Sequence, residues 1–185
     1  DDGQRNAPEI ARLAAAAGIR LLTVHGRTRA QLYKGQADWA AVRAVKAATN
    51  LPVIVNGDIT DLDTARRALQ LANADGVMIG RGSYGRPWAP ARIAAGLRGE
   101  PVPPLPTPAE RLVTILEHYD AMLSHYGRDL GKRNARKHLA WYLADLPEGR
   151  AQAGQVNRLG APSAVIEALR EIFERASDEA APLAA

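Results

Sequence analysis

Three polar, glycine-containing segments each follow a short apolar run, and they are the part of this chain best suited to chemistry. The segments are His25–Arg29, Asn56–Asp58 and Gly80–Gly82, after the apolar runs 21–24, 53–55 and 76–79. Because ligands bind at the carboxyl ends of the strands in parallel α/β folds, three such segments predict one shared site.

Gly80 and Arg81 have the chemistry of a phosphate-binding loop. A glycine directly after a buried strand lets a ligand approach the backbone, and exposed N–H groups in such a turn bind anions. Arg81 adds a charge-assisted contact, and the helix expected to start near Pro87 adds its positive end. The alternative is a plain turn with a surface arginine.

The other two segments extend the same pocket. Asn56 and Gly57 form a candidate second wall, although Asn-Gly is also a common turn. The Asp58 carboxylate would repel a phosphate, so it is expected to cap the helix region at Asp61, to hold Arg81, or to bind a ligand hydroxyl. His25 can donate a hydrogen bond or transfer a proton, or it can be a satisfied loop histidine.

The first hundred residues alternate helix and strand patterns. We predict helices over 7–17, after an Asp38 cap and after an Asp61 cap, and strands over 21–24, 51–55 and 76–79. Strands this short and apolar predict a parallel sheet covered on both faces. Three such units make an incomplete sheet, so we expect the C-terminal part of a larger α/β protein; the alternative is a complete small domain.

The second part of the chain changes to a helical pattern. Five prolines in residues 99–108 predict a stiff linker between a first domain, 1–98, and a second, 109–185. We predict a helix from Thr107 or Pro108 to Tyr126, breaks at Gly127 and Gly131, a helix over 132–146 and another after Pro162. Residues 177–185 are expected to be a disordered tail.

A basic stripe follows the predicted break. On a helix starting at Lys132, apolar residues such as Ala135 and Leu139 share one face. The opposite side carries the cations of a stripe suited to RNA phosphates, or of an ordinary solvated surface. The RNA-binding candidates are Lys132, Arg133, Arg136 and Lys137.

The composition excludes several classes of protein. The chain has 185 residues, a net charge of +4 and no cysteine, so it has neither disulfides nor a Cys-bound zinc site. The spacing of its other polar residues suggests no metal site. No apolar run is long enough to cross a membrane and no signal peptide is visible, so we expect a cytoplasmic protein.

The motifs together resemble the tRNA-dihydrouridine synthases, and best the bacterial, nitrogen-regulation-like branch. They stand in order from about residue 6 to 175, and each is weak alone. The matching segments are His25–Arg29, Pro52–Ile59, Asp75–Gly82, Gly85–Trp88, Arg136–His138 and Trp141–Tyr142.

The resemblance implies an FMN-bound TIM (β/α)₈ barrel followed by an all-α, tRNA-binding domain. This chain would hold about strands six to eight of the barrel, residues 1–98. FMN, reduced by NADPH, would transfer a hydride to the 5,6 double bond of a tRNA uridine, which must leave its stack. The cofactor-binding residues would be His25, Arg27, Asn56, Gly57, Asp58, Gly80 and Arg81.

The resemblance also places the groups of proton chemistry elsewhere. The family's proton-donating cysteine and an active-site lysine would lie upstream, so this chain would have no catalytic residue of its own and would be inactive alone. The full-length protein is expected to be a monomer. The alternatives are an FMN-barrel oxidoreductase acting on a small pyrimidine and a non-catalytic RNA-binding fragment.

Overall fold

The computed structural model describes residues 3–180, which fall into two units. The first contains the chain up to Ser83 together with Pro87–Pro103. The second contains Tyr84–Arg86 and the chain from Pro104 onward. The division into an FMN-binding part, a linker over 99–108 and a tRNA-binding part remains a prediction about function.

The first unit is an alternation of helices with a three-stranded parallel sheet. Strands β1 (Leu22–His25), β2 (Val53–Asn56) and β3 (Gly76–Met78) lie in sequence order. The helices are α1 (Ala7–Ala16), α2 (Trp39–Ala47), α3 (Leu62–Ala72) and α4 (Ala89–Leu97), and Arg81–Ser83 forms a single 3₁₀ turn. The predicted αβαβαβ order is confirmed.

Both predicted helix caps are present. The Asp38 carboxylate accepts a hydrogen bond from the Ala41 N–H at 3.0 Å, at the start of α2. Asp61 and Thr64 form a reciprocal capping box at the start of α3. Each cap satisfies N–H groups that have no partner within the helix, and so fixes where the helix begins after its strand-end loop.

One face of the sheet is covered, whereas the sequence predicted cover on both faces. Val53 and Val55 are fully buried against α2, α3 and α4, which pack side by side on that face. Burial alternates along β1 and β2, and the residues pointing the other way, including Thr23 and His25, are exposed or half-buried by the described residues. The described residues therefore supply cover for one face only, because uniformly apolar strands do not show which of the two covering layers a given segment contains.

The second unit is all helical. After residues 100–107, which form neither helix nor strand, come α5 (Pro108–Tyr126), α6 (Arg128–Leu143), α7 (Gly149–Val156) and α8 (Pro162–Ala180). Its core is built on Ile115, Tyr119, Leu139, Leu169 and Phe173. The prediction for α5 is confirmed, including its Thr107 cap, which accepts from the Glu110 N–H.

The predicted break at Gly131 is wrong. Helix α6 starts directly after Gly127 and passes through Gly131, which is buried. A side-chain carbon at Gly131 would lie 2.7 Å from the Met122 carbonyl oxygen, so the glycine allows α5 and α6 to approach closely. A glycine selected for close helix packing has the same sequence signature as a helix breaker.

Two further boundaries differ from the sequence prediction. Helix α6 ends at Leu143 rather than 146, and the short helix α7 was not predicted, because its small and polar residues show no apolar periodicity. Helix α8 continues through Ala180, so residues 177–180 of the predicted disordered tail are helical in the structure. The Ser177 hydroxyl donates to the Phe173 carbonyl at 2.8 Å. The remainder of the predicted tail, residues 181–185, lies outside the described residues.

Replacing Gly131 with alanine is expected to destabilise the helical unit by about 1–3 kcal/mol, because the new methyl group meets backbone atoms that cannot move aside. Gly154→Ala in α7 is the matched control, since the nearest atom is the flexible end of Arg158 at 3.8 Å. That change should stabilise by up to about 1 kcal/mol through helix propensity. Urea denaturation followed by circular dichroism measures both; equal effects would exclude the close-packing role of Gly131.

Candidate functional site

The ends of the three strands form one row in the sheet. The register pairs His25 with Asn56 and Asn56 with Met78, so the last residues of β1, β2 and β3 lie side by side. Asn56 is half-buried and donates from Nδ2 to the Met78 sulfur at 3.4 Å. The three strand-end segments singled out in the sequence therefore start from one edge of the sheet.

The Asp58 carboxylate joins the three segments. Its Oδ2 atom accepts hydrogen bonds from Arg27 at 2.6 Å and from the Ala37 N–H at 2.8 Å. Its Oδ1 atom lies 3.7 Å from the Arg81 guanidinium. Of the roles predicted for Asp58, it takes the contact to Arg81 and adds an unpredicted one to Arg27, whereas the helix cap at Asp61 is made by Asp61 itself.

The electrostatics keep Asp58 ionised. Burial raises the pKa of Asp58, but the hydrogen bonds from Arg27 and Ala37 and the charges of Arg27 and Arg81 outweigh it. The pKa therefore lies below its ordinary value of 3.8. Two arginines and one permanent carboxylate leave a net positive charge at the strand ends, which suits an anionic ligand.

Arg27 is buried at the strand-end site and holds the loop that follows β1. Its side chain is only 3% exposed, and it donates to the carbonyls of Lys34 and Gly35 at 3.2 and 2.7 Å as well as to Asp58. Its Nη1 atom is buried and has no hydrogen-bond partner among the described residues. Arg27 thus fixes the 27–37 loop, and one donor remains to be satisfied.

Arg81 is the exposed cation of the site. Its guanidinium lies 4.4 Å from the centre of the Tyr33 ring, within cation–π distance, and its side chain is 50% exposed. The contacts to Tyr33 and Asp58 orient the group without burying it. Arg81 is therefore held in place and still open to an anion.

Two glycines let the loops approach each other. Gly57 has φ of 117°, and a side chain there would meet the Ala37 methyl group at 2.7 Å and the His25 ring at 3.2 Å. A side chain on Gly82 would strike the Ile59 carbonyl. Gly80, by contrast, has open space where a side chain would point, so a ligand can reach its backbone.

His25 is exposed at the end of β1, with its ring edge-on to Tyr33 at 6.4 Å between centres. Partial burial, followed by the charges of Arg27 and Arg81, lowers its pKa below the ordinary value of 6.5, although Asp58 acts in the opposite direction. The imidazole is therefore neutral near pH 7. It can donate one hydrogen bond to a ligand and adds no charge.

The four RNA-binding candidates lie on α6 in the helical unit, and their side chains have different surroundings. Lys132 donates to the Gly160 carbonyl at 2.7 Å and is partly buried. Arg133 and Arg136 are exposed and line a cavity together with Lys132. Lys137 points instead to Trp141, with its Nζ 6.0 Å from the ring centre.

An aromatic cluster holds the segment Tyr84–Arg86 within the helical unit. Tyr84 stacks on Trp141 with ring centres 3.9 Å apart and 18° between planes. Gly85, with φ of 70°, lies against the Trp141 carbonyl, where any side chain would clash. These contacts give a structural reason for the Gly85 and Trp141 parts of the sequence motifs.

Sequence reasoning missed three contributors to the strand-end site. Tyr33 lies under Arg81, the Ala37 N–H binds Asp58, and Trp39 donates from its indole nitrogen to the Gly57 carbonyl at 2.7 Å. Tyr33 and Ala37 lie between β1 and α2, and Trp39 is the first residue of α2. The sequence signal that could have indicated them is an aromatic residue, Tyr33, within a Gly-containing polar segment. Hydrophobic periodicity does not detect such a residue.

The described residues contain no group of three or more His, Asp or Glu side chains that could hold a metal ion. Within residues 3–180, every helix is too short or too polar to cross a membrane.

Comparison with known proteins decides the family. The family model for dihydrouridine synthases matches residues 1–177. The chain belongs to the dihydrouridine synthase family. It is 50% identical over 173 residues to a probable tRNA-dihydrouridine synthase of Rhodobacter capsulatus, covering 94% of this chain and 53% of that protein.

Two further relatives give the same result. A probable tRNA-dihydrouridine synthase of Rickettsia typhi is 45% identical over 178 residues, which are 96% of this chain and 54% of the relative. The tRNA-dihydrouridine synthase B of Pseudomonas aeruginosa is 40% identical over 186 aligned positions, which cover 100% of this chain and 56% of the relative. The chain thus spans about half the length of the curated relatives it matches.

Replacing Asp58 with asparagine tests whether its carboxylate holds the three strand-end segments together. Asparagine tolerates the positive φ of 54° at this position, so the change mainly removes the charge that pairs with the buried Arg27. We expect a loss of about 1–3 kcal/mol in the free energy of unfolding at pH 7. Asp63→Asn, an exposed change in the first turn of α3, should cost about 0.5 kcal/mol.

The same pair of variants has a pH signature. Because the folded-state pKa of Asp58 is lowered, its stabilisation is present above pH 3.8 and is lost as pH falls through the folded value. Wild type should therefore approach Asp58→Asn in stability as the pH falls below about 4. A stability difference that does not change between pH 7 and acid would contradict the ion pair.

Proposed function

We propose that this chain is the flavin-phosphate side of an enzyme that reduces uridine to 5,6-dihydrouridine in tRNA. The observation that carries the proposal is the row of strand ends with Arg81 held open beside it, in a chain of the dihydrouridine synthase family. The names of its relatives as tRNA-dihydrouridine synthases support tRNA as the substrate.

The residues at the strand ends suit FMN. Arg81 offers a charge-assisted contact to a phosphate, and the open backbone at Gly80 lets the phosphate come close. Arg27 has one buried donor without a described partner, and Asn56 and His25 offer polar groups along the same row. When bound, the flavin would supply the hydride that reduces the uracil 5,6 double bond, with NADPH as the reductant.

Each residue has a separate role in this proposal. Arg81, Gly80 and the neighbouring N–H groups bind the phosphate, while Asn56 and His25 orient the remainder of the cofactor. Asp58 and Arg27 act through position, because their contacts fix the loops that carry the binding groups. The neutral imidazole of His25 donates a hydrogen bond and does not compete with Arg81 for the phosphate charge.

The first unit supports a place in a TIM barrel. Its strands lie in sequence order with helices on one face, as successive βα units of a barrel do. Within residues 3–180, β1 and β3 each pair with one strand only, so both edges are open for further strands. We propose that these units are the last three of eight and that the helical unit binds tRNA.

The remaining parts of the proposal concern the intact protein. The chain contains no cysteine, and we propose that the family's proton-donating cysteine and its active-site lysine belong to residues upstream of this chain. We further propose that the intact protein is monomeric and cytoplasmic.

Replacing Arg81 with alanine in the intact protein should weaken FMN binding by about 1.5–3 kcal/mol, because a charge-assisted phosphate contact is lost. Arg67→Ala removes the same charge from the exposed surface of α3 and is the matched control. Fluorescence quenching of FMN on titration measures both affinities. Equal retention of FMN by the two variants would remove Arg81 from the cofactor site.

The activity itself is tested with the intact protein, FMN, NADPH and an unmodified tRNA transcript. Dihydrouridine in the tRNA, detected by mass spectrometry after nuclease digestion, is the expected product. The 185-residue chain alone is expected to form none. Reduction of free uracil or uridine without reduction of tRNA would instead indicate an oxidoreductase of small pyrimidines, and tRNA binding without flavin uptake would indicate an RNA-binding protein.

A further inference from the structure

A cavity in the helical unit has features that the basic stripe alone does not explain. It encloses about 260 Å³ between α5, α6, the segment 157–160 and α8. Its polar lining comes from Tyr119, Asp129, Lys132, Arg133, Arg136, Asn157 and Arg158. This volume is too small for a complete drug-sized ligand and suits a group such as a phosphate with its sugar.

The charge of the lining is strongly positive. Four cations face one carboxylate, that of Asp129, whose side chain is 90% exposed and lies 3.8 Å from Lys132. Among the described residues, Arg133, Arg136 and Arg158 form no ion pair with a carboxylate. Three arginines that are not neutralised around one cavity predict an anion as its occupant.

Two buried polar atoms of the lining residues lack partners. The Tyr119 hydroxyl belongs to a side chain that is 1% exposed, and it has no hydrogen-bond partner among the described residues. Burial raises the pKa of Tyr119, with Arg128 opposing, so the hydroxyl remains protonated and can donate. An unsatisfied buried hydroxyl destabilises the folded protein, and a ligand acceptor that pairs with it would remove that cost.

The second unpartnered atom is the side-chain oxygen of Asn157, which needs a hydrogen-bond donor. Asn157 donates from Nδ2 to the Arg136 carbonyl at 3.3 Å. Because a carbonyl can only accept, the Asn157 atom that faces it must be the amide nitrogen. The other atom of the amide is therefore the oxygen, which is buried and has no partner among the described residues. A phosphodiester has no proton to give, whereas the 2′-hydroxyl of ribose does.

We propose that this cavity binds one ribose-phosphate unit of an RNA backbone. The three arginines and the Tyr119 hydroxyl donate hydrogen bonds to the phosphate oxygens. The Asn157 side-chain oxygen accepts a hydrogen bond from the ribose 2′-hydroxyl. Lys132, tied to the Gly160 carbonyl, contributes charge and fixes the 157–160 segment. The assignment rests on the proposed function only in taking tRNA as the RNA, and it gives the helical unit a means of distinguishing RNA from DNA.

The first test measures the affinity of the intact protein for a tRNA transcript at fixed salt. Tyr119→Phe removes one unpartnered oxygen and leaves the core filled, and it should weaken binding about tenfold. Tyr126→Phe, at the exposed end of α5, is the matched control. Arg158→Gln should weaken binding more than Arg150→Gln, which makes the same charge change on α7 outside the cavity.

A merely structural Tyr119 would behave differently. Its replacement by phenylalanine would leave tRNA affinity unchanged and keep or raise the thermal stability. Equal tRNA affinity of Tyr119→Phe and Tyr126→Phe, or of Arg158→Gln and Arg150→Gln, would therefore overturn the proposal.

The second test uses small probes to identify the source of the ribose phosphate. Ribose 5-phosphate should bind wild type and compete with tRNA, and 2-deoxyribose 5-phosphate should bind about tenfold more weakly. Binding of ribose 5-phosphate that depends on Tyr119 but does not compete with tRNA would indicate a free-nucleotide site and overturn the RNA assignment. Absence of dihydrouridine formation with these effects intact would refute the proposed activity and leave the ribose-phosphate site standing.

Discussion

The carboxylate of Asp58 is the constraint on which the strand-end site depends. It accepts from Arg27 and Ala37 and lies within ion-pair distance of Arg81, so three separate loops meet at one residue. Because the Arg27 side chain is almost fully buried, this pairing sets the position of the 27–37 loop rather than adding a surface contact. Tyr33 and the Ala37 N–H come to the site through that loop.

The two arginines of the site have different roles, one in structure and one in ligand binding. One carboxylate offsets one of the two arginines, the buried one, and the exposed Arg81 keeps its charge for a ligand. The glycines have the same two roles. Gly57 and Gly82 permit close packing between loops, whereas Gly80 leaves its backbone accessible to a ligand. A site of this kind is rigid on the protein side and open on the ligand side, which favours binding with little loss of entropy.

Much of the fold could be predicted from the sequence because its elements carry local signals. The caps at Asp38, Asp61 and Thr107 and the apolar strands determine the order of elements, and the structure has each of them. Gly131 shows where local signals fail, since its role depends on Met122 in another helix. Helix α7 is too short and too polar for a periodic signal.

The candidate site was predictable in its location but not in its contacts. Parallel strand ends must meet at one edge, so the row of His25, Asn56 and Met78 follows from the order of elements. The pairing of Asp58 with Arg27, however, joins residues 31 apart through side chains that have several possible partners. The buried hydroxyl of Tyr119 was likewise hidden, because a tyrosine on an apolar helix face gives no sign that its oxygen lacks a partner.

The ratio of the affinities for FMN and riboflavin tests most directly whether these strand ends bind a cofactor phosphate. The two ligands differ only in the phosphate group, so the ratio isolates the contribution of Arg81 and the Gly80 loop. In the intact protein, FMN should bind about 100-fold more tightly than riboflavin, as expected for the loss of one or two charge-assisted hydrogen bonds. Equal affinities for the two ligands would contradict a phosphate site at the ends of β2 and β3.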